Sequence, residues 1–187
     1  MNNKPAQIKK IEADIFRAHS SLLKDLNETL LSGFLKHQND TAVKRSHLFN
    51  DRYENIYLNE QQLPELKLFR QEACRHASII IGNDNIKAGF WFNYMPPGAI
   101  TTMHTHDDDD EQLSGVYYVT VPENSGNLII YNDLLTTTEN NTAQKVVEIE
   151  PKAGDFIFFK PDARHEVSKN NSKQHRLSIG INFGMDQ

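Results

Sequence analysis

The period of the apolar positions changes near residue 86. Before that point, apolar side chains recur at three- and four-residue steps. Ile8, Ile11, Ile15, Leu22, Leu26 and Leu30 predict a helix over residues 6–36, with Gly33 near its end. Leu66, Phe69, Ala73, Ala77 and Ile80 predict a second helix over residues 62–81, stopped by Gly82-Asn83-Asp84-Asn85. Residues 37–52 are polar and irregular, and residues 52–58 alternate as a short strand. Beyond residue 86 the period becomes two, with candidate strands at 87–95, 99–106, 113–122, 127–131, 144–150, 154–160, 164–168 and 174–184. Turns at Pro96-Pro97-Gly98, Glu123 to Gly126, Pro151 to Gly154 and Lys169 to Lys173 separate them. Strands at this spacing predict a mainly β fold, a jelly-roll or double-stranded β-helix, with the N-terminal helices packed on its major sheet. The implied division is a helical extension over residues 1–86 and a barrel core over 87–187. In the last strand, Leu177, Ile179, Ile181 and Phe183 would face the helices, and Arg176, Ser178 and Asn182 the barrel interior. Residues 132–143 predict a polar loop that could serve as a lid over the barrel mouth.

Composition narrows the class. A chain of 187 residues, 38% hydrophobic and 24% charged, suits one soluble domain, with or without an extension. Net charge is −5 and basic residues do not cluster, so a phosphate-tracking surface is not expected and nucleic acid is excluded as a partner. Cys74, the one cysteine, cannot form an internal disulfide and reads as a buried small apolar residue. With no secretory-type or membrane-spanning apolar run, a reducing cytoplasm is the expected location and no membrane is expected as a partner.

The chemistry concentrates in the second half. His104 and His106 lie two apart in an alternating segment, so a strand would present both imidazoles on one face. Sixty residues on, an apolar strand and a Lys-Pro-Asp turn lead to a lone histidine, His165. Eleven residues later Arg176 opens the last strand, with Ser178 on the same face. Two imidazoles from one strand edge and a third from a distant strand would bind a metal on one side and leave its other positions open. A guanidinium inside the barrel must be paired, and its planar fork of donors matches a carboxylate. A dicarboxylic co-substrate would supply that partner.

The whole arrangement resembles the iron(II)/2-oxoglutarate-dependent dioxygenases, and within them a family known by its oxygenase class. The resemblance rests on His104-Thr105-His106, Leu113 to Val119 (LSGVYYV), Pro122 to Leu128, Gly154 to Val167 and Arg176 to Asn182. It covers roughly residues 88–184; the N-terminal helices match by type only. It implies that His104, His106 and His165 bind iron(II), and that Arg176, assisted by Ser178, holds the distal carboxylate of 2-oxoglutarate. Tyr118 stands where prolyl-hydroxylase-like enzymes direct a tyrosine hydroxyl at that carboxylate, though its alternating strand equally suits a core aromatic. The implied activity is hydroxylation of an unidentified small-molecule or peptide substrate, with release of succinate and carbon dioxide; a homodimer is compatible with this reading.

Three features leave alternatives open. The run Asp107 to Asp110 lengthens the loop before LSGVYYV, and His106-Asp107-Asp108 also spells the H-x-D of the wider superfamily. That reading would use His106, Asp108 and His165; the spacing from Gly98 to His104 favours the three histidines. Gly98, His104, His106 and Glu111 also fit a cupin-type metal motif without 2-oxoglutarate, although Gly115 comes early and the segment from Pro161 to His165 is off by one. A non-catalytic, ligand-binding jelly-roll is the third alternative. Of the remaining histidines, His19, His37, His47 and His76 read as surface residues and His175 as facing away from Arg176. Phe90 and Trp91 read as core.

Overall fold

A computed structural model describes residues 7–12, 14–106, 110–138 and 141–186. In chain order the elements are β1 (Lys9–Glu12), β2 (Ile15–His19), α1 (Leu23–His37), β3 (Lys44–Phe49), β4 (Arg52–Tyr57) and α2 (Leu66–Ile81). They continue with β5 (Ile86–Met95), β6 (Thr101–His104), β7 (Glu111–Thr120), β8 (Leu128–Thr138), β9 (Asn141–Ile149), β10 (Asp155–Phe159), β11 (Arg164–Val167) and β12 (Arg176–Met185). An eight-stranded sheet ordered β1-β2-β10-β7-β12-β5-β4-β3 faces a four-stranded sheet ordered β6-β11-β8-β9. All ladders are antiparallel. This is the expected jelly-roll.

Strict alternation divides the major sheet into two faces. Tyr117, Val119, Phe156, Phe158, Leu177, Ile179, Ile181 and Phe183 pack against Leu30, Phe34, Leu66, Phe69, Ala73 and Ala77 of the two helices. The intervening Tyr118, Ile157 and Phe159 join Leu128, Ile130 and Ile149 between the sheets. The face assignment expected for β12 therefore holds at every named residue.

Three expectations of local structure are corrected. The first helix starts at Leu23, not near residue 6, because β1 and β2 precede it. Strand β2 lies along β10, pairing Phe16 with Phe158 and Ala18 with Phe156. Ile15 then enters the barrel while Phe16 and Ala18 meet the helix layer, a period-two pattern that the Ile8-Ile11-Ile15 spacing conceals. Pairing here also covers the edge that β10 would otherwise expose. The expected loop 132–143 is instead mostly hairpin: β8 and β9 pair as far as Thr138 and Asn141, and residues 139–140 lie outside the described residues. Strand β3 likewise occupies part of the supposedly irregular 37–52.

A buried polar contact joins the helices. Glu72 of α2 accepts bonds from the Ser20 hydroxyl (2.6 Å), the Ser21 hydroxyl (2.7 Å) and the Ser21 backbone N–H (2.7 Å). It thereby satisfies donors where the chain turns into α1. One turn on, His76 is buried against Phe156 and Phe158, not at the surface as expected. Among the described residues no helix is long and apolar enough to cross a membrane.

Candidate metal centre and co-substrate pocket

His104 closes β6 and His165 is its direct cross-strand partner on β11. The Lys160 to Ala163 turn, closed by the Ala163 N–H to Lys160 carbonyl bond, delivers His165 to that position. His106 follows β6 and is pinned by its own backbone N–H, which donates to the Pro161 carbonyl at 2.8 Å. Three imidazoles meet as a result: ligand nitrogens of His104, His106 and His165 all lie within 4.8 Å of one another.

The protonation pattern suits a cation. Nδ1–H of His104 donates to the Thr102 carbonyl at 2.8 Å, and Nδ1–H of His165 to the Ala163 carbonyl at 2.9 Å. A proton held on Nδ1 leaves the Nε2 lone pair for a metal. Burial first, then the neighbouring imidazole of His104, push His165 down to about 3. It is neutral across the physiological range, as a ligand must be. The donor chemistry therefore fits a divalent transition metal. Asp108, the alternative carboxylate ligand, lies outside the described residues. Glu111 is not among the clustered donors, and its carboxylate accepts the Asn182 amide.

The trio opens on a cavity of about 440 Å³, within the usual range for a small-ligand site. Arg176, Ser178 and Tyr118, all expected near a co-substrate, line it. Arg176 is 2% exposed and donates to the carbonyls of Ser125 (3.3 Å) and Gly126 (2.9 Å) and to the Met95 sulfur. Its Nε has no partner, and no carboxylate pairs with it among the described residues. Burial lowers its pKa, an effect that Tyr118 opposes. The guanidinium lies 5.6 Å from the centre of the Tyr118 ring. Burial pushes that phenol up to about 12, so it keeps its proton and can donate.

Sequence reasoning missed part of this lining. Trp91 belongs to the cavity, not the core: its ring stands 5.3 Å from that of His106 and covers Gly180, where an added Cβ would come within 2.5 Å of the indole. Phe90 does pack with the core, as expected. His47, Glu54, Asn55 and Tyr57 of the β3–β4 hairpin also reach the cavity. The available signal was alternation, since Phe90 and Phe92 on the helix side oblige Trp91 to face the barrel. His175 stacks on Tyr94, which packs on the helix side, so it does face away from the cavity.

A double-stranded β-helix with clustered imidazoles at its mouth and an unpaired arginine inside is suited to mononuclear metal oxygenases that use an acidic co-substrate. Comparison with known families gives the same answer. Residues 89–182 match the family described as "Putative 2OG-Fe(II) oxygenase", and the chain belongs to it. The protein is accordingly an oxidoreductase that uses iron(II) and 2-oxoglutarate. The comparison with curated proteins found no match. Solved structures with the same fold include the non-heme alpha ketoglutarate dependent carbocyclase SnoK of nogalamycin biosynthesis. It has a TM-score of 0.72 and 15% identity over 92% of this chain and 79% of that one. A prolyl-4-hydroxylase from Pseudomonas putida gives 0.66 and 18% over 93% and 94%. A prolyl hydroxylase from Trichoplax adhaerens, solved with a hypoxia inducible factor peptide, gives 0.68 and 17% over 92% and 84%.

Proposed function

We propose that His104, His106 and His165 hold the iron, and that Arg176 binds the distal carboxylate of 2-oxoglutarate. The reaction is hydroxylation of a C–H bond in a prime substrate, with one oxygen atom of O2 entering that substrate and the other entering succinate as carbon dioxide leaves. Bound iron(II) supplies open positions for 2-oxoglutarate and dioxygen, together with the redox capacity for this chemistry.

The protein's own contribution is placement. Two backbone carbonyls fix the tautomers of His104 and His165, so their metal-facing nitrogens carry no proton. Arg176 carries the observation on which the reading rests: a nearly inaccessible guanidinium, held by neutral acceptors, with no acidic partner among the described residues. A buried charge of this kind is costly until an anion arrives, and a carboxylate would complete its fork. Ser178, the cross-strand neighbour of Tyr118, adds a hydroxyl on the same wall, and the protonated Tyr118 adds another.

Anaerobic titration with iron(II) and then 2-oxoglutarate tests the proposal. A visible charge-transfer band should appear only when both are present, because it requires 2-oxoglutarate chelated on iron. A protein that binds metal yet never develops the band would contradict it. The cupin-type arrangement predicts that outcome but requires Glu111 at the metal, whereas Glu111 engages Asn182.

A further inference from the structure

Beyond the imidazole cluster, the cavity runs sideways along the major sheet, over β5, β4 and β3. Pairing of Ile56 with Phe92 brings Asn55 and Tyr57 of β4 beside Trp91 and Asn93 of β5. Trp91 in turn borders His106. This end of the cavity is continuous with the imidazole cluster, and none of its groups is needed for iron or 2-oxoglutarate in the reading above.

Its hydrogen bonds define a specific surface. Asn55 Nδ2, which can only donate, lies 3.0 Å from His47 Nδ1. His47 Nδ1 must therefore be an acceptor, which leaves the ring proton of the neutral imidazole on Nε2. The Ser46 hydroxyl is 2.9 Å from the same nitrogen. Asn55 Nδ2 also stands 3.4 Å from the Tyr57 oxygen. With its amide nitrogen so used, Asn55 has only its carbonyl Oδ1 left to offer, and His47 only its Nε2–H. Neither of these atoms has a hydrogen-bond partner among the described residues. One acceptor and one donor, side by side on one wall, complement the N–H and C=O of an amide.

The local backbone is arranged for this. His47 has φ +55°, a left-handed conformation uncommon for a side-chain-bearing residue in a strand. Strand alternation alone would put His47 with Glu54 on the face opposite Ser46 and Asn55; the left-handed twist turns its ring back to them. Arg52 locks the hairpin in place by donating to Asn93 Oδ1 (2.9 Å), Glu54 Oε1 (2.6 Å) and the Ile100 carbonyl (3.0 Å). Leu48 and Tyr53, cross-strand partners on the same face as Asn55, are exposed toward the hairpin tip. They form an apolar step next to the polar pair.

We infer that the Asn55–His47 pair, backed by Trp91, is the prime-substrate subsite, and that it takes a neutral amide carried on an apolar group. The inference deepens the oxygenase reading and rests on it for the word substrate, but the binding it asserts can be measured without metal or turnover. Two sources share this chemistry, a peptide bond and a terminal carboxamide, and the test separates them.

Trp91 is the chain's one tryptophan and lines this end of the cavity, so with no metal or 2-oxoglutarate added its emission reports occupancy there. The probes are acetyl-leucyl-glycyl-leucine methylamide for the peptide source, isovaleramide for the carboxamide source, and methyl isovalerate and the depsipeptide analogue as ester controls. At least one amide should change the emission saturably, the ester of the same shape should not, and the amide that saturates identifies the source. Asn55→Leu and His47→Phe should each raise half-saturation about five- to ten-fold, the loss of one hydrogen bond. Asn55→Asp keeps the volume and an acceptor oxygen while removing the donor to His47, and should be affected without loss of fold by circular dichroism. No saturable response to either amide, an equal response to the esters, or variants that bind like the parent would overturn the subsite. Failure of the charge-transfer test would leave this titration readable, and failure here would leave that band unaffected.

Discussion

On the proposed reading, replacing Arg176 and replacing His165 should separate co-substrate binding from metal binding. Arg176→Lys keeps a positive charge but loses the planar fork. Half-saturation by 2-oxoglutarate, measured as succinate formed with iron and ascorbate, should rise by about 1.5–3 kcal/mol in binding terms, the usual worth of a hydrogen bond to a charged group. Iron content should stay at the parental value, because Arg176 is not among the clustered imidazoles. Unchanged half-saturation would remove Arg176 from the co-substrate site. His165→Ala should abolish stoichiometric iron(II) binding, read by metal analysis after desalting. The fold should survive, since β11 is held by backbone pairing to both β6 and β8. Retention of parental iron by a folded variant would remove His165 from the ligand set.

Among the elements, the contact of α2 with the entry to α1 governs the helix layer, and it contains a group that senses pH. Glu72→Ala leaves Ser20, Ser21 and a backbone N–H without their acceptor. Unfolding in urea should show a loss of roughly 1–3 kcal/mol, the cost of unsatisfied buried polar groups. His76 adds a pH dependence. Burial is the largest influence on it and lowers its pKa below 6.5, with Glu72 opposing, and neither ring nitrogen has a hydrogen-bond partner. Below that value the unfolded chain takes up a proton that the folded chain resists, so stability falls as pH drops through the unfolded pKa. The urea midpoint should decline from about pH 7 to pH 5.5, and His76→Phe should flatten the decline over that window. An identical slope in parent and variant would show that other groups control it.

For the molecule as a whole, ligands should act through mass action. Iron(II) with 2-oxoglutarate at about 100 times its dissociation constant should add about 2.7 kcal/mol to the folded state. Differential scanning under anaerobic conditions should show the increment from 2-oxoglutarate in the parent and a smaller one in Arg176→Lys. Equal increments would disconnect Arg176 from the co-substrate. Much of this molecule could be read from its residues. The barrel strands announce themselves because Leu177, Ile179, Ile181 and Phe183 alternate without interruption, and the imidazoles because His104, His106 and His165 sit at strand ends. What escaped had a physical reason in each case. Ile8, Ile11 and Ile15 satisfy a helical spacing while occupying or flanking the short strands β1 and β2. Strands β8 and β9 run through a Thr- and Asn-rich stretch where backbone pairing, not apolar patterning, holds the ladder. His76 lies three residues after Ala73 on the buried face of α2, a position that polarity argued against. The β3–β4 hairpin carries no metal or anion motif, so only its place beside β5 reveals it as a wall of the cavity.

The order of the major sheet has a kinetic consequence. Its central strand, β12, is the last of the described strands, and it pairs between β7 and β5, whose residues are some sixty and ninety positions earlier. β10, in turn, waits for β2 from near the start. Contacts of such long sequence separation make closure slow, because the loop entropy is lost before the contacts reward it. Arg176 begins that final strand. Arg176 therefore reaches its place on the cavity wall only when this long-range closure is complete.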